Sequence, residues 1–508
     1  MKSFWPALKS HSVEIALGAL AILARALPGL RTIDDAYITF RYSRNLLAGA
    51  GFVYNPGEAV LGTTTPLYTL LMAGLAGLTG SGNFPQFAVI VNALADAATA
   101  VLLYRMARRL LDSRVPALAL GLLWAVSPMS VTFAIGGMET SVGLLWMVAA
   151  FSAYLAERTR LAAFFAALAV LTRPDTLIWV GPLALAVLIR ALRERRFPWA
   201  EAAWLVVPVA PWILFATLTF SGPLPNSVAA KAVAYALPPT QALERLIQHY
   251  ATPFFEHRAF GIPAIGIIGG LALYPALAAV GGLKLVRDDA RTWPLVAYPW
   301  LYFATFAVAN PLIFRWYLAP PLPFYFLCIL AGIWTLTGTL RAERWRVAVP
   351  AALYVGMLAM SLNVWTLHPD HGPDRPTPEM AWHKLELLYE GVGRELAPDV
   401  NAGTVVAAGD IGAIGYYSGA EVLDTLGLIS PQAVAYYPID PSMLATTGYA
   451  VAPDLIFDER PDYIVVLETY VRNGLLLDPR FEEAYVLREK INTDIYGSEG
   501  MLVYELRE

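Results

Sequence analysis

The apolar stretch Ser12-Val-Glu-Ile-Ala-Leu-Gly-Ala-Leu-Ala-Ile-Leu-Ala-Arg-Ala-Leu-Pro-Gly-Leu30 is followed directly by Arg31-Thr-Ile-Asp-Asp35. A helix needs about 20 predominantly apolar residues to cross the hydrocarbon layer of a membrane, and the first segment is long enough to do so. The second segment places one positive charge and two adjacent carboxylates where that helix leaves the layer. Together the two segments predict a membrane helix that opens into a polar loop at the membrane surface.

The rest of the chain repeats this pattern of apolar runs that end in basic residues. Of its 508 residues, 57% are hydrophobic and 15% are charged, which is too apolar for a water-soluble protein of this size. We predict eleven membrane-spanning helices in a lipid bilayer. They lie at about 12 to 30, 86 to 107, 116 to 134, 140 to 156, 160 to 172, 174 to 191, 199 to 220, 259 to 283, 293 to 310, 317 to 339 and 346 to 366.

A shorter apolar run, residues 66 to 80, is predicted to lie at the membrane surface or to re-enter it without crossing. Counting this run as a span would move most of the arginine clusters outside, whereas cytoplasmic loops are rich in Lys and Arg. Without it, 18 basic residues fall in cytoplasmic segments and eight in outer loops. The predicted location is the cell inner membrane, with the polar loops and the C-terminal domain on the outer face.

The sequence changes character after Trp365. Residues 367–378 are polar and Pro-rich, which predicts a linker between a transmembrane module, residues 1–366 with an outer loop at 31–85, and a domain at residues 379–508. A helical pattern covers residues 381 to 396. Strand-like runs lie at Thr404 to Ala408, Tyr463 to Leu467, Ala484 to Leu487 and Met501 to Leu506. These patterns predict a small α/β domain.

Composition also excludes some classes of function. The formal net charge of −4 and the lack of a basic tract interleaved with aromatics give no basis for binding nucleic acid. Cys328 is the only cysteine and lies in an apolar run, so its expected role is helix packing. No zinc site is predicted, because the histidines show no metal-ligand spacing. The histidines considered are His249, His257, His368, His371 and His383.

Polar side chains that are unusual beside lipid gather at the predicted outer face. Polar groups at this depth are costly and tend to mark function, although surface loops are polar in any case. We therefore predict a substrate site there. The candidates for binding the substrate or its phosphate are Arg41, Glu139, Arg173, Asn226, Lys231 and Arg315.

The adjacent Asp34 and Asp35 are the candidate catalytic residues. Two neighbouring carboxylates repel each other, which raises the proton affinity of one of them and suits a general base that faces an acceptor hydroxyl. Adjacent side chains on a helix do not face one pocket, so one Asp is expected to act in chemistry and the other to orient it or to hold a cation. The alternative is that the pair caps a helix beginning near Ala36, where Asp is favoured.

The candidate cations and Glu139 also have two interpretations. Lys231, Arg173 and Arg315 could clamp a phosphate leaving group, which needs fixed positive charge, or they could extend to lipid headgroups. Glu139 could bind sugar hydroxyls or cap the fourth span. The polar pair Asn92 and Asp96 within the second span is predicted to make interhelical hydrogen bonds.

Several motifs resemble the GT-C superfamily of polytopic glycosyltransferases that use polyprenyl-phosphate sugars. The resemblance runs from about residue 30 to 330, and within the superfamily it points to the mycobacterial terminal β-(1→2) arabinofuranosyltransferase group and to bacterial enzymes similar to protein mannosyltransferases and aminoarabinose transferases. The motifs are Asp34-Asp-Ala-Tyr-Ile-Thr-Phe-Arg-Tyr-Ser-Arg-Asn45, Gly51-Phe-Val-Tyr-Asn-Pro-Gly-Glu58, Gly62-Thr-Thr-Thr-Pro-Leu-Tyr68, Gly137-Met-Glu-Thr140, Leu171-Thr-Arg-Pro-Asp175 and Pro225-Asn-Ser227. Ala408-Gly-Asp-Ile-Gly-Ala-Ile-Gly-Tyr-Tyr-Ser-Gly419 and Asp424-Thr-Leu-Gly427 resemble the tail of bacterial relatives.

This resemblance implies an all-α GT-C fold with a C-terminal α/β domain and an inverting transfer in which Asp34 deprotonates the acceptor. It implies a polyprenyl-phosphate-linked sugar donor, with arabinofuranose, mannose or another pentose or hexose as the sugar, and a glycan, lipid or protein acceptor. Some relatives use a divalent cation, Mg²⁺ or Mn²⁺, which here would be held by Asp34 and Asp35. The sequence itself names neither the sugar nor the acceptor.

Two other functions compete with this interpretation. A transporter or flippase for lipid-linked sugars would place its polar groups near the midplane and show inverted repeats, and the sequence shows no repeat. A membrane-anchored glycan-binding protein would not need eleven spans.

Overall fold

The computed structural model describes residues 11–236, 238, 240–255, 263–309, 313–367 and 372–507. Some of the predictions fall outside the described residues. They concern His257, His368 and His371, the start of the span predicted at 259 to 283, and residue 310, which ends the span predicted at 293 to 310. The chain falls into two compact units. The first comprises residues up to 31, 85–211 and 240–382, and the second comprises residues 32–84, 212–239 and 383–508.

Each of the eleven predicted spans corresponds to helical structure. Three α-helices before residue 363 are described below with the second unit. The other α-helices up to that residue are Ser12–Ala26, Phe84–Leu110, Arg114–Val126, Pro128–Ile135, Thr140–Leu155, Thr159–Thr172, Leu177–Arg193, Trp199–Phe220, Gln241–Ala251, Pro263–Asp288, Trp293–Ala309, Leu322–Thr337 and Glu343–Asn363. Among the described residues, seven helices are long and apolar enough to cross a membrane. The predicted spans at 12 to 30, 140 to 156, 160 to 172 and 293 to 310 correspond to shorter helices of 14 to 17 residues.

The apolar run at residues 66 to 80 forms the helix Pro66–Thr79, which belongs to the second unit. Its 14 residues extend about 21 Å at 1.5 Å per residue, which is short of the roughly 30 Å hydrocarbon layer. Its length is therefore consistent with a helix that does not cross the membrane.

A buried polar network ties together helices of the first unit. Asn92 donates to the carbonyls of Ala134 and Met138, as predicted for an interhelical contact. Asp96 accepts hydrogen bonds from Ser141 and Trp124 and forms a fully buried ion pair with Arg25, at 3.1 Å. Arg25 was not among the polar residues singled out from the sequence.

Two short strands lie at the ends of the predicted linker. β1 (Trp365–Thr366) directly precedes it, β2 (Thr377–Pro378) forms its last two residues, and the two strands pair antiparallel. The predicted boundaries at residues 366 and 379 remain a prediction, because the two compact units interleave along the chain.

The second unit contains three helices from the first 234 residues, Asp34–Leu47, Pro66–Thr79 and Asn226–Ala234. Its C-terminal part carries the strands β3 (Val405–Ala408), β4 (Glu421–Asp424), β5 (Tyr463–Leu467), β6 (Tyr485–Ile491) and β7 (Met501–Leu506). The helices of this part are Lys384–Leu396, Gly412–Ser418, Pro453–Glu459 and Pro479–Ala484.

These five strands form one mixed sheet in the order β4-β3-β5-β7-β6. β3 is parallel to β4 and β5, whereas β7 runs antiparallel to β5 and β6. The four predicted strands are present, and β4, which closely follows helix Gly412–Ser418, was missed. The C-terminal part is thus the predicted α/β domain.

Candidate active site

The acidic pair lies at the start of helix Asp34–Leu47 in the second unit. Asp34 is only 8% exposed, and its two carboxylate oxygens accept hydrogen bonds from the backbone N–H groups of Gly412 and Ala413, at 2.8 and 2.7 Å. These amides belong to the first turn of helix Gly412–Ser418. The N-cap of helix Asp34–Leu47 is Ile33. The Asp34 side chain therefore caps helix Gly412–Ser418, whereas the alternative in the sequence analysis had the acidic pair capping its own helix.

Gly412 makes this close approach possible. A Cβ atom on Gly412 would lie 1.8 Å from the carbonyl oxygen of Asp34 and 2.8 Å from its carboxyl carbon. Such distances are far below van der Waals contact, so residue 412 has no room for a side chain. The glycine of the Gly409-Asp-Ile-Gly412 sequence therefore serves to admit the Asp34 carboxylate to the helix end.

Asp35 occupies a different environment from Asp34. Its side chain is 31% exposed, and its carboxylate lies 3.6 Å from the Nζ atom of Lys231. Lys231 is on helix Asn226–Ala234. The structure therefore brings together three of the predicted site residues, Asp34, Asp35 and Lys231, within one unit.

Asp410 is a third carboxylate of this cluster and was missed as a site residue. It lies two residues after the end of β3, and the Tyr389 hydroxyl donates a hydrogen bond to it at 3.1 Å. Burial raises the pKa of Asp410 to about 6, and the negative charge of Asp35 contributes to that rise. Its place in the Ala408–Gly419 motif, at the end of a strand, was the signal that could have identified it.

The pKa of Asp34 is also raised well above its usual value. Burial is the main cause, and the negative charges of Asp410 and Asp35 add to it. The two amide hydrogen bonds act in the opposite direction because they favour the ionised form. The result is a carboxylate with high proton affinity that is held in a fixed orientation.

Arg41 and Asn226 are engaged by the protein itself. The Arg41 guanidinium is 2% exposed and donates to the carbonyls of Tyr54, Gly415 and Ala420 and to the side chain of Asn55. Asn226 donates to the carbonyl of Gly427 at 2.5 Å. Both residues connect segments of the second unit, and their predicted role in binding substrate remains a prediction.

Glu139 and Arg173 meet in the first unit. Arg173 donates to Glu139 at 2.8 Å and makes a bidentate contact with Asp175 at 2.9 Å, and all three side chains are almost fully buried. The Tyr302 hydroxyl also donates to Asp175. Since two carboxylates already surround Arg173, a phosphate would have to displace at least one of them to bind there.

Arg315 lies in a different part of the first unit. It lines a cavity of about 610 Å³ and donates to the backbone carbonyl of Met380 at 2.6 Å. The same cavity is lined by Arg245 and His249, from helix Gln241–Ala251, and neither was predicted to belong to a site. Arg315 is thus the predicted phosphate clamp that lines an accessible space.

The acidic cluster does not fit a divalent cation well. Each oxygen of Asp34 accepts one amide N–H group and keeps one lone pair, whereas Mg²⁺ and Mn²⁺ require several oxygen ligands. Within the described residues, no group of three His, Cys, Asp or Glu side chains is arranged to hold a metal ion.

Comparison with known families agrees with this architecture. The sequence matches the family described as predicted membrane protein (DUF2079) over residues 70–410, more than half of the chain. The chain belongs to the DUF2079 family. This DUF2079 protein also matches a domain of unknown function, DUF8728, over residues 379–504, which contain the α/β domain.

One relative of this DUF2079 protein has a named activity. The terminal beta-(1->2)-arabinofuranosyltransferase of Mycobacterium tuberculosis is 31% identical over 182 residues, which cover 32% of this chain and 29% of the relative. The aligned part is thus less than a third of the length of that relative.

Two crystal structures of ArnT from Cupriavidus metallidurans resemble the DUF2079 protein over 98% of both chains. One is bound to undecaprenyl phosphate, with a TM-score of 0.56 at 14% identity, and the other is in the apo state, with a TM-score of 0.57 at 12% identity. The DUF2079 protein therefore has the predicted GT-C fold, and it is a multi-pass membrane protein.

Proposed function

We propose that this protein is an inverting glycosyltransferase that moves a sugar from a polyprenyl-phosphate donor to a glycan, lipid or protein acceptor. The GT-C fold and the partial similarity to an arabinofuranosyltransferase support this proposal. The undecaprenyl phosphate in the ArnT structure supports a lipid phosphate as the carrier. We place the reaction on the outer face of the inner membrane, on the basis of the charge asymmetry in the sequence.

The observation that carries the proposal is the environment of Asp34. A general base works best when its proton affinity is matched to the working pH and its orientation is fixed. Burial and neighbouring carboxylates raise the pKa of Asp34, while two amides hold its oxygens in place. Burying the Asp34 carboxylate beside Asp35 and Asp410 costs free energy, and a catalytic role gives a reason for that cost.

In the proposed reaction, the acceptor hydroxyl attacks the anomeric carbon of the donor sugar and transfers its proton to Asp34. The bond between the anomeric carbon and the phosphate oxygen breaks, and the lipid phosphate leaves with the electron pair. Fixed positive charge favours this departure because negative charge develops on the leaving oxygen. We assign to Lys231 the role of orienting Asp35 through their contact. Arg315 stays our candidate for binding the lipid phosphate.

The test is transfer from a panel of short-chain polyprenyl-phosphate sugars by purified wild type and by Asp34→Asn. We expect Asp34→Asn to lower kcat by about 100- to 10,000-fold, the usual contribution of a general base. Asp440→Asn is the matched control, because Asp440 is an exposed carboxylate outside the acidic cluster. Full activity of a folded Asp34→Asn variant would contradict the assignment, and loss in Asp35→Asn alone would move it to Asp35.

The same assay tests the phosphate clamp and the cation. Arg315→Gln is expected to lower kcat/KM for the donor, and unchanged kinetics would remove Arg315 from the site. Since the acidic cluster fits a divalent cation poorly, activity is expected to survive EDTA. Loss of activity in EDTA that Mg²⁺ or Mn²⁺ restores would show that a cation is needed.

A further inference from the structure

The cavity of the first unit has a size typical of sites for small molecules. Its volume of about 610 Å³ falls within the range of roughly 300–1,000 Å³ seen for ligand pockets. Its lining mixes charged, amide and aromatic side chains. Among them are Glu244, Arg245, His249, Arg315, Glu379 and Trp382.

His249 is the most informative residue in this lining. It is 7% exposed, and its Nε2 atom has no hydrogen-bond partner among the residues that the structure describes. The ring also makes a hydrogen bond with the backbone of Leu318 that favours its protonation, so a ring N–H donates to the carbonyl there. Because Nε2 has no partner, we assign that donor to Nδ1, which leaves Nε2 without a proton.

A buried polar atom without a partner is costly, by about 1–3 kcal/mol, and a native structure normally satisfies it with a ligand or with water. Burial and the positive charge of Arg245 lower the pKa of His249 to about 4, so the ring is neutral at pH 7. A neutral Nε2 without a proton only accepts hydrogen bonds. A phosphate oxygen is itself an acceptor, so the partner of Nε2 must instead carry an O–H or N–H group.

The other residues that line the cavity indicate the chemistry of the ligand. The lining contains two carboxylates, Glu244 and Glu379, beside two arginines, so it offers both acceptors and donors to a ligand. The indole of Trp382 provides an apolar face beside these polar groups. A sugar ring combines these properties, because its hydroxyls donate and accept while its C–H face is apolar.

We propose that this cavity binds the neutral sugar ring of a substrate, and that His249 Nε2 accepts a hydrogen bond from one ring hydroxyl. The inference rests on the proposed glycosyl transfer, and it assigns the sugar specificity to a residue outside the acidic cluster. The ring belongs to the lipid-linked donor or to an acceptor glycan, and both present the same hydroxyl chemistry to the cavity.

The first experiment measures binding to the full-length protein in detergent. The probes are farnesyl phosphate without sugar, farnesyl phosphates carrying arabinofuranose or mannose, and octyl glycosides of the same two sugars. We expect at least one glycosylated probe to bind, with an affinity that falls about tenfold in His249→Phe, as expected for one hydrogen bond. If His249→Phe loses affinity for the glycosylated farnesyl phosphates, the ring belongs to the donor. If it loses affinity for the octyl glycosides, the ring belongs to the acceptor.

Two further variants separate the hydrogen bond from a general disturbance. His249→Gln keeps an acceptor on a side chain of similar reach, and we expect it to retain most of the affinity. His11→Phe removes an exposed histidine that does not line the cavity and should bind as wild type does. An equal loss for sugar-free farnesyl phosphate in His249→Phe would overturn the proposal, as would failure of every glycosylated probe to bind.

A measurement on the wild type keeps the proposal testable even if His249→Phe does not fold. In protein labelled with ¹⁵N-histidine, the signal of one unprotonated Nε2 should shift when the binding glycoside is added. It should not shift with the analogue that lacks the contacting hydroxyl, and an unchanged spectrum with a saturating glycoside would overturn the proposal.

Failure of this inference is distinguishable from failure of the proposed function. Transfer that depends on Asp34 but shows an unchanged KM in His249→Phe would overturn the cavity proposal alone. Glycoside binding that depends on His249, in a protein that transfers no sugar from any donor, would leave the cavity proposal standing and count against the transferase.

Discussion

At the scale of single residues, the two adjacent aspartates are distinguished by where a helix points them. Successive side chains on an α-helix point about 100° apart. Asp34 therefore turns into the protein and meets backbone amides, while Asp35 turns toward Lys231 and is partly exposed. The expectation that the two residues have different roles follows from this geometry, and the Asp34→Asn and Asp35→Asn comparison tests it.

The buried Arg25–Asp96 pair gives a prediction about stability. Both side chains are completely buried, and Asp96 also accepts hydrogen bonds from Ser141 and Trp124. Removing one partner of a buried pair leaves an uncompensated charge, at a cost of about 3–5 kcal/mol. Asp96→Ala is therefore expected to lower the melting temperature of the detergent-solubilised protein strongly.

The double variant Arg25→Met/Asp96→Leu is the control for this prediction. It removes both charges, and replacing a whole buried pair with apolar residues is often neutral. We expect the double variant to melt above Asp96→Ala. Equal melting temperatures would show that packing, not the unpaired charge, accounts for the loss.

At the scale of elements, helix Gly412–Ser418 and helix Asp34–Leu47 contact each other through their first residues. A Cβ atom at residue 412 would overlap the backbone of Asp34. We expect Gly412→Ala to separate the two helices, to destabilise the protein and to lower transfer activity by displacing Asp34. Thermal melting and the transfer assay measure the two effects.

Gly391 provides a matched control for Gly412. It is exposed within helix Lys384–Leu396, and a Cβ atom added there would meet no atom within 4 Å outside its own helix. Ala is favoured over Gly in a helix by about 1 kcal/mol, so Gly391→Ala should be neutral or stabilising. Similar behaviour of the two variants would contradict the role given to Gly412.

At the scale of the whole molecule, the proposed orientation in the membrane can be measured. Cys328 is buried, so single cysteines can be introduced at exposed positions after Cys328→Ala. A membrane-impermeant maleimide should label Glu499→Cys, in the α/β domain, on spheroplasts whose inner membrane is intact. It should label Arg344→Cys, in a basic segment predicted to be cytoplasmic, only after lysis, and the reverse pattern would invert the topology.

Part of the candidate site could be predicted from the sequence. Asp34, Asp35 and Lys231 were selected because charged residues at a membrane surface are unusual, and the structure brings these three together. Asp410 and His249 were missed as site residues, although Asp410 lies within the Ala408–Gly419 motif. Their significance depends on which surfaces surround them, and a linear pattern does not contain that information.

The sequence by itself determined the helices and most of the strands, because hydropathy is a local property and the thickness of the hydrocarbon layer sets the length of a span. It also determined that an acidic pair follows the first helix. Only the tertiary structure decided which residues form hydrogen bonds and ion pairs with each other. Asp34 meets the amide of a residue 378 positions away, and Arg25 meets Asp96 across 71 residues. Such pairings depend on how whole elements pack, so no local pattern specifies them.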